Sequence, residues 1–266
     1  KHPAKEKGNY KCAKCHTPSD HDVMSGKSKL ADNEIQRTEP ISCQQCHMIE
    51  SVEKHVKTNK NILTTKPKTF FSADKDLKGT KVEFKEESSF FGMLTTKSGS
   101  PYHDIDYSNE GYYNGDSCMG CHSHKQNSHE FAVCTTDEKG AKDKESNCIT
   151  CHMPKVDGTA TTVRLSKQHS FHGFAGARVK PEMLSKYVEF HFTSSTKGFE
   201  VVVENKAPHN LMTHPLRVVQ LKATLIRGSK QTDLKTHTFV KVIGKDGKPA
   251  MPWLATEVVK DTMIKA

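Results

Sequence analysis

Cys148-Ile149-Thr150-Cys151-His152 is the stretch on which the fold turns. The same arrangement, two cysteines with two residues between them and a histidine directly after, stands at Cys12-Ala13-Lys14-Cys15-His16, Cys43-Gln44-Gln45-Cys46-His47 and Cys118-Met119-Gly120-Cys121-His122. Eight of the nine cysteines fall into these pairs. Zinc knuckles, disulfides and thioredoxin-like redox sites also pair their cysteines, but none needs a histidine at the fifth position every time. With 16 His among 266 residues, four such coincidences have a chance of roughly one in 10⁵ by composition alone. The surroundings are polar. Only 34% of residues are hydrophobic, and Lys, Ser, Thr, Asn and Asp dominate the first two-thirds. No run approaches the roughly 18 uninterrupted apolar residues of a membrane-spanning helix. So polar a chain builds a large core only if something besides its own side chains fills the interior.

C-x-x-C-H is the attachment motif of a c-type haem. Two thiols three positions apart add to the two vinyl groups of one porphyrin, and the adjacent histidine reaches the iron from the same side. Four haem c groups are therefore expected, tethered through Cys12, Cys15, Cys43, Cys46, Cys118, Cys121, Cys148 and Cys151. His16, His47, His122 and His152 are the proximal iron ligands. The formal charge of +9 then needs correcting. With both propionates ionised, each ferric haem brings about −1 and each ferrous haem about −2, leaving about +5 oxidised and about +1 reduced. Much of the lysine surplus is counter-charge for the cofactors, or a docking surface for an acidic partner. No nucleic-acid motif is present. Cys134 is left over, an inert buried thiol by default.

Across residues 12 to 152 the chain resembles a tetrahaem cytochrome c. The resemblance implies electron transfer and assembly on the exported side of a prokaryotic membrane, hence a periplasmic or extracellular location. Lys1-His2-Pro3 is not the hydrophobic segment of a signal peptide, so the chain reads as a mature one. Redox proteins or a membrane-bound quinol-oxidising cytochrome are the implied partners, with a homopolymer as another.

A low-spin electron-transfer haem needs a second strong ligand on its iron, whereas a catalytic haem keeps that position open or weakly held. Twelve further histidines compete for four places, which favours bis-His ligation throughout. Met48, Met119 and Met153 sit so close to the motifs that haem packing is their expected role. Ser100-Pro101-Tyr102-His103, 15 residues before Cys118, looks like the Ser-Pro-aromatic-His element of multihaem cytochromes related to hydroxylamine oxidation, where the histidine ligates a neighbouring haem. His172-Gly173-Phe174-Ala175-Gly176-Ala177 is similar to the His-x-Phe-Pro-Gly-Ala element of that lineage, with Ala175 for the proline. His169 offers an overlapping register, and the choice between His169 and His172 stays open. His209-Asn210-Leu211-Met212-Thr213 resembles the Gly-His-x-Phe-Pro-Thr element, with Pro208 for glycine and Met212 for proline. The expected distal set is His103, His172, His209 and His21, with His169, His55 and His124 as alternates.

The expected fold is a haem-organised lobe of short helices and irregular chain, followed by a small antiparallel β domain. The first spans 1–185 and holds a haem-free insertion at 58–100, whose Phe70-Phe71 and Phe90-Phe91 would cover haem faces. The second spans 186–266. Its first run alternates Val188, Phe190 and Phe192 with polar residues; Phe199 to Glu204 is a second, β-branched and apolar; a long third run goes from Leu216 through Leu225, and a fourth from Thr238 to Ile243 leads to an Asp246-Gly247 turn. Three functions compete: an electron carrier, a subunit of a polymeric extracellular filament, and a small haem reductase of nitrogen or sulfur oxyanions with one open iron.

Overall fold

The computed structural model describes residues 15, 18, 19, 22, 25, 27, 41–89, 91, 92, 94–123, 125–134, 143, 145–159, 166–196 and 198–266. Cys12, His16, His21, Phe90 and His124 lie outside the described residues. The chain divides into two compact units, one of Lys1–Val52 with Asn61–Tyr112, the other of Glu53–Lys60 with Tyr113–Ala266. The boundary expected at 185/186 falls inside the second. Among the described residues small sheets predominate and helices are few, and short strands also run through the stretch before residue 186.

In the first unit the second motif forms the α-helix Cys43–His47. Residues i, i+3 and i+4 share one helical face, which places Cys43, Cys46 and His47 together. Tyr112, 8% exposed, donates its hydroxyl proton to Cys46 O at 2.5 Å or Ile49 O at 3.1 Å, tying down carbonyls at the helix end. The supposed insertion is built into a sheet. Thr69–Phe71 runs parallel to Asp104–Asp106, and Lys81–Val82 pairs antiparallel on its other side. Strands of two or three residues joined across more than 20 positions leave no periodic signature in the sequence. His103 immediately precedes the middle strand.

In the second unit the third motif lies in the 3-10 helix Asp116–Gly120 and the turn after it, with Cys121 N–H and His122 N–H both donating to Cys118 O. The fourth motif is the α-helix Cys148–His152. Asn147 caps it: its side-chain oxygen accepts from Ile149 N at 2.9 Å and Thr150 N at 3.1 Å, while Thr150 Oγ1 accepts from Asn147 N at 2.8 Å. The Asn147 amide also donates to Tyr113 O at 3.2 Å and Asp143 O at 2.8 Å.

Farther along, the runs expected from Val188 and from Phe199 are the strands Val188–Ser195 and Gly198–Asn205, which pair as an antiparallel hairpin. The long run expected from Leu216 is broken at Lys222 and Ala223 into Val218–Leu221 and Thr224–Arg227, which join different sheets. The strand His237–Lys245 is the hub, paired with Val218–Leu221, Lys248–Pro249 and Glu257–Asp261, all antiparallel. Asp246 and Gly247 turn its end with φ of 52° and 71°, the paired positive values of a tight hairpin. The hydrophobic cluster here is small: Val133, Ile243 and Ala255, with Phe131 and Cys134 packed against it.

Candidate haem-ligand site

None of the eight described cysteines is in a disulfide, so the second, third and fourth motifs each keep two thiols for another partner. The attachment turns of the third and fourth motifs meet. A hydrogen bond with Cys118 is the largest influence on the Cys148 thiol and holds its pKa below the ordinary value, against burial. Gly115, with φ of +84°, makes this approach feasible: a Cβ there would come within 3.0 Å of Cys148 Cβ and 3.2 Å of its sulfur.

His152 and His209 are brought together. Their ring centres are 6.3 Å apart with planes 16° from parallel, well beyond the 4.2 Å at which Phe70 stacks on His103. With a metal–imidazole bond of about 2.1 Å and a nitrogen about 1.1 Å from its ring centre, two rings on one ion stand about 6.4 Å apart. The tautomers agree. His152 Nδ1 lies 2.6 Å from Ala175 O and His209 Nδ1 lies 3.1 Å from Asn210 O. Facing carbonyls, both must donate, which leaves the lone pair of each ring on Nε2, the arrangement found in metal-ligating histidines. Ala175, 1% exposed, grips His152 twice, since its own N–H donates to His152 O at 2.8 Å.

In the first unit His47 Nδ1 donates to Phe71 O at 2.7 Å. The Phe70 ring lies 6.2 Å from that of His47 and 4.2 Å from that of His103, 10° from parallel to each. His103 Nδ1 is 3.4 Å from Asp104 O, and Lys81 fixes the Asp104 carboxylate at 3.2 Å.

The remaining candidates are placed less closely. His169 sits opposite Val156, on a strand beside the fourth motif, with Nδ1 donating to Gly158 O at 3.0 Å. His172 is exposed and donates to Ser170 O at 2.8 Å. His55 belongs to a loop fastened to the third motif through Asn59, which bonds to Met119 O at 3.2 Å and Ser123 Oγ at 3.1 Å. Its Nδ1 accepts from Lys57 N at 3.1 Å, which puts the proton of the neutral ring on Nε2 and sets it apart from the other candidates. Met48 and Met119 are 8% and 3% exposed, buried as packing residues should be. On the exposed hairpin, Glu189, His191 and Glu204 bring ligand atoms within 4.8 Å of one another. Lys206 already bonds to Glu204 at 2.7 Å and Glu189 at 3.5 Å, and holds the Glu204 carboxyl below its ordinary pKa, with His191 adding to the effect.

Sequence reading missed three contributors: Ala175, Tyr112 and Tyr187. Tyr187 Oη accepts a hydrogen bond from Cys151 Sγ at 3.1 Å. The Asn147 cap did have a signal, an Asn three residues before a Thr at the head of the motif.

No protein-family profile matches the chain, and no curated protein does. Its fold is similar to that of a penta-haem cytochrome c552 from Thermochromatium tepidum, with a TM-score of 0.64 at 20% identity over 98% of this chain and 73% of that one. Among the described residues no helix is long and apolar enough to cross a membrane.

Proposed function

We propose that this chain is a multihaem c-type cytochrome that passes electrons through four covalently bound haems. The observation that carries the reading is the His152–His209 pair, 6.3 Å apart with both Nδ1 atoms committed to carbonyls. The coordination it fits is bis-His, with Cys148 and Cys151 as the tethers. By the same logic Cys43 and Cys46 hold a haem over His47, and Cys118 and Cys121 one over His122. Cys12, Cys15 and His16 complete the set by motif. Such haems supply one-electron iron chemistry. The chain's own part is to hold His47, His152 and His209 each in one tautomer, and to bring the third and fourth attachment points together at Cys118 and Cys148.

His103 is assigned as a distal ligand on its Ser-Pro-Tyr-His context, with Phe70 steadying its ring. The assembly chemistry of such haems argues for an extracytoplasmic compartment, and a redox protein for partner. A second reading, a polymer of this chain, draws on the hairpin face where Phe190 and Phe192 are 62% and 67% exposed; rods in negative stain would favour it. The test of the main reading is intact mass and magnetic resonance of the purified protein. Four added haems and a low-spin signal from His152–His209 ligation are expected. A chain without covalent tetrapyrrole overturns the proposal.

A further inference from the structure

Cys151 stands apart from the other described motif cysteines: it is buried, whereas they are half-buried or exposed. Three hydroxyls surround its sulfur. Tyr187 Oη is at 3.1 Å, Ser146 Oγ at 3.8 Å and Thr150 Oγ1 at 4.0 Å. Thr150 is committed elsewhere, accepting from Asn147 N at 2.8 Å and lying 3.2 Å from Asn147 O as a donor. Tyr187 ends the 3-10 helix Pro181–Tyr187, and its carbonyl accepts from Lys206 N at 2.9 Å, so its backbone is fixed from both sides.

In the thiol form, Cys151 is the donor and Tyr187 Oη the acceptor. Attachment reverses this. The S–H adds across a haem vinyl group: a sulfur–carbon bond forms, the hydrogen passes to the other vinyl carbon, and there is neither a leaving group nor net electron transfer to balance. A thioether sulfur has no proton and can only accept. At the same position the phenol must turn its O–H toward sulfur.

We infer that Tyr187 is a potential-setting residue for the haem tethered by Cys148 and Cys151, donating a hydrogen bond to the Cys151 thioether. A donor on a cofactor substituent withdraws electron density and favours the reduced form, and second-shell hydrogen bonds with burial are recognised levers on haem potential. The inference rests on the haem-binding reading above, since it needs a thioether at Cys151. It adds to that reading a side chain placed at one of the four attachment motifs.

The experiment compares wild-type and Tyr187→Phe holoproteins by intact mass, redox titration followed optically, and resonance Raman spectroscopy in H₂O and D₂O. Phenylalanine keeps the ring and removes only the donor. One of the four midpoint components is expected to move to more negative potential, with the other three in place. A thioether carbon–sulfur band that shifts in D₂O in the wild type is expected to lose that sensitivity in the variant. Four haems by mass with all four components unmoved overturns the inference and leaves the haem-binding reading intact. Wild-type protein without haem at Cys148 and Cys151 overturns both. Should the variant fail to mature, the Raman comparison on wild type alone decides: no D₂O-sensitive carbon–sulfur band, no hydrogen bond.

Discussion

Replacing Asn147 with alanine tests whether the fourth attachment turn is built by its cap. Asn147 is 1% exposed and makes both halves of a capping box, together with two amide bonds to backbone carbonyls. Losing an N-cap side chain costs about 1 kcal/mol. Tyr113 O, half-buried, loses a donor worth about 1 kcal/mol, and Asp143 O, beside an exposed residue where water can substitute, about 0.5 kcal/mol. Asn147→Ala should therefore destabilise the holoprotein by about 2–3 kcal/mol. Asn147→Ser separates the contributions, because serine caps as well as asparagine but has no amide to reach either carbonyl; its cost should be about 1.5 kcal/mol. Urea denaturation followed by far-UV circular dichroism reads both, at unchanged m-value. An alanine variant within about 0.5 kcal/mol of wild type, or a serine variant as unstable as the alanine one, would refute the account, since surface-like substitutions stay within that range.

His209→Ala should turn one of four haems high-spin and leave the haem count by mass at four; an unaltered spin-state ratio rejects the His152–His209 pairing. His103→Ala should likewise convert one haem, not the same one, so the double variant shows two. Ala175→Pro removes the N–H that holds His152 O and places a proline after Phe174, whose φ of 54° is poorly tolerated there; a loss of about 1–3 kcal/mol and an altered low-spin signal are expected. The Asp143 carboxyl is held below its usual 3.8 by the backbone N–H groups of Ser146 and Glu145. A depressed folded pKa gives stability that is present above the unfolded value and lost as pH falls through the folded one. Acid unfolding below about pH 4 should thus be less steep in Asp143→Asn, and an unchanged acid limb removes Asp143 from the account.

C-x-x-C-H is legible because it is local, and the strand from Val188 because the alternation from Val188 to Thr193 is local too. Elsewhere local pattern ran out. Phe70 and Phe71 gave no sign of their strand, because its partner lies at Asp104–Asp106 and no period links positions so far apart. The two departures from the related elements make sense only in three dimensions. Ala175 stands where proline is usual and uses the N–H that proline lacks. Met212 also replaces a proline, at φ of 64°, an angle closed to a pyrrolidine ring. Of the distal candidates, His209 is the one brought within 6.3 Å of His152, whereas His169 and His172 remain alternatives because the sequence offers two registers and both donate to nearby carbonyls.

On the haem-binding reading proposed above, the hydrogen bond between Cys118 and Cys148 gives production of this protein a timing problem. In an oxidising compartment two adjacent thiols readily cross-link, and a bond between them would strand both motifs at once. Loading either site consumes one of the pair and rescues the other. Expression hosts with a slow ligation apparatus should accordingly yield chains that lack two pigments together more often than one, and added reductant during export should restore the full complement.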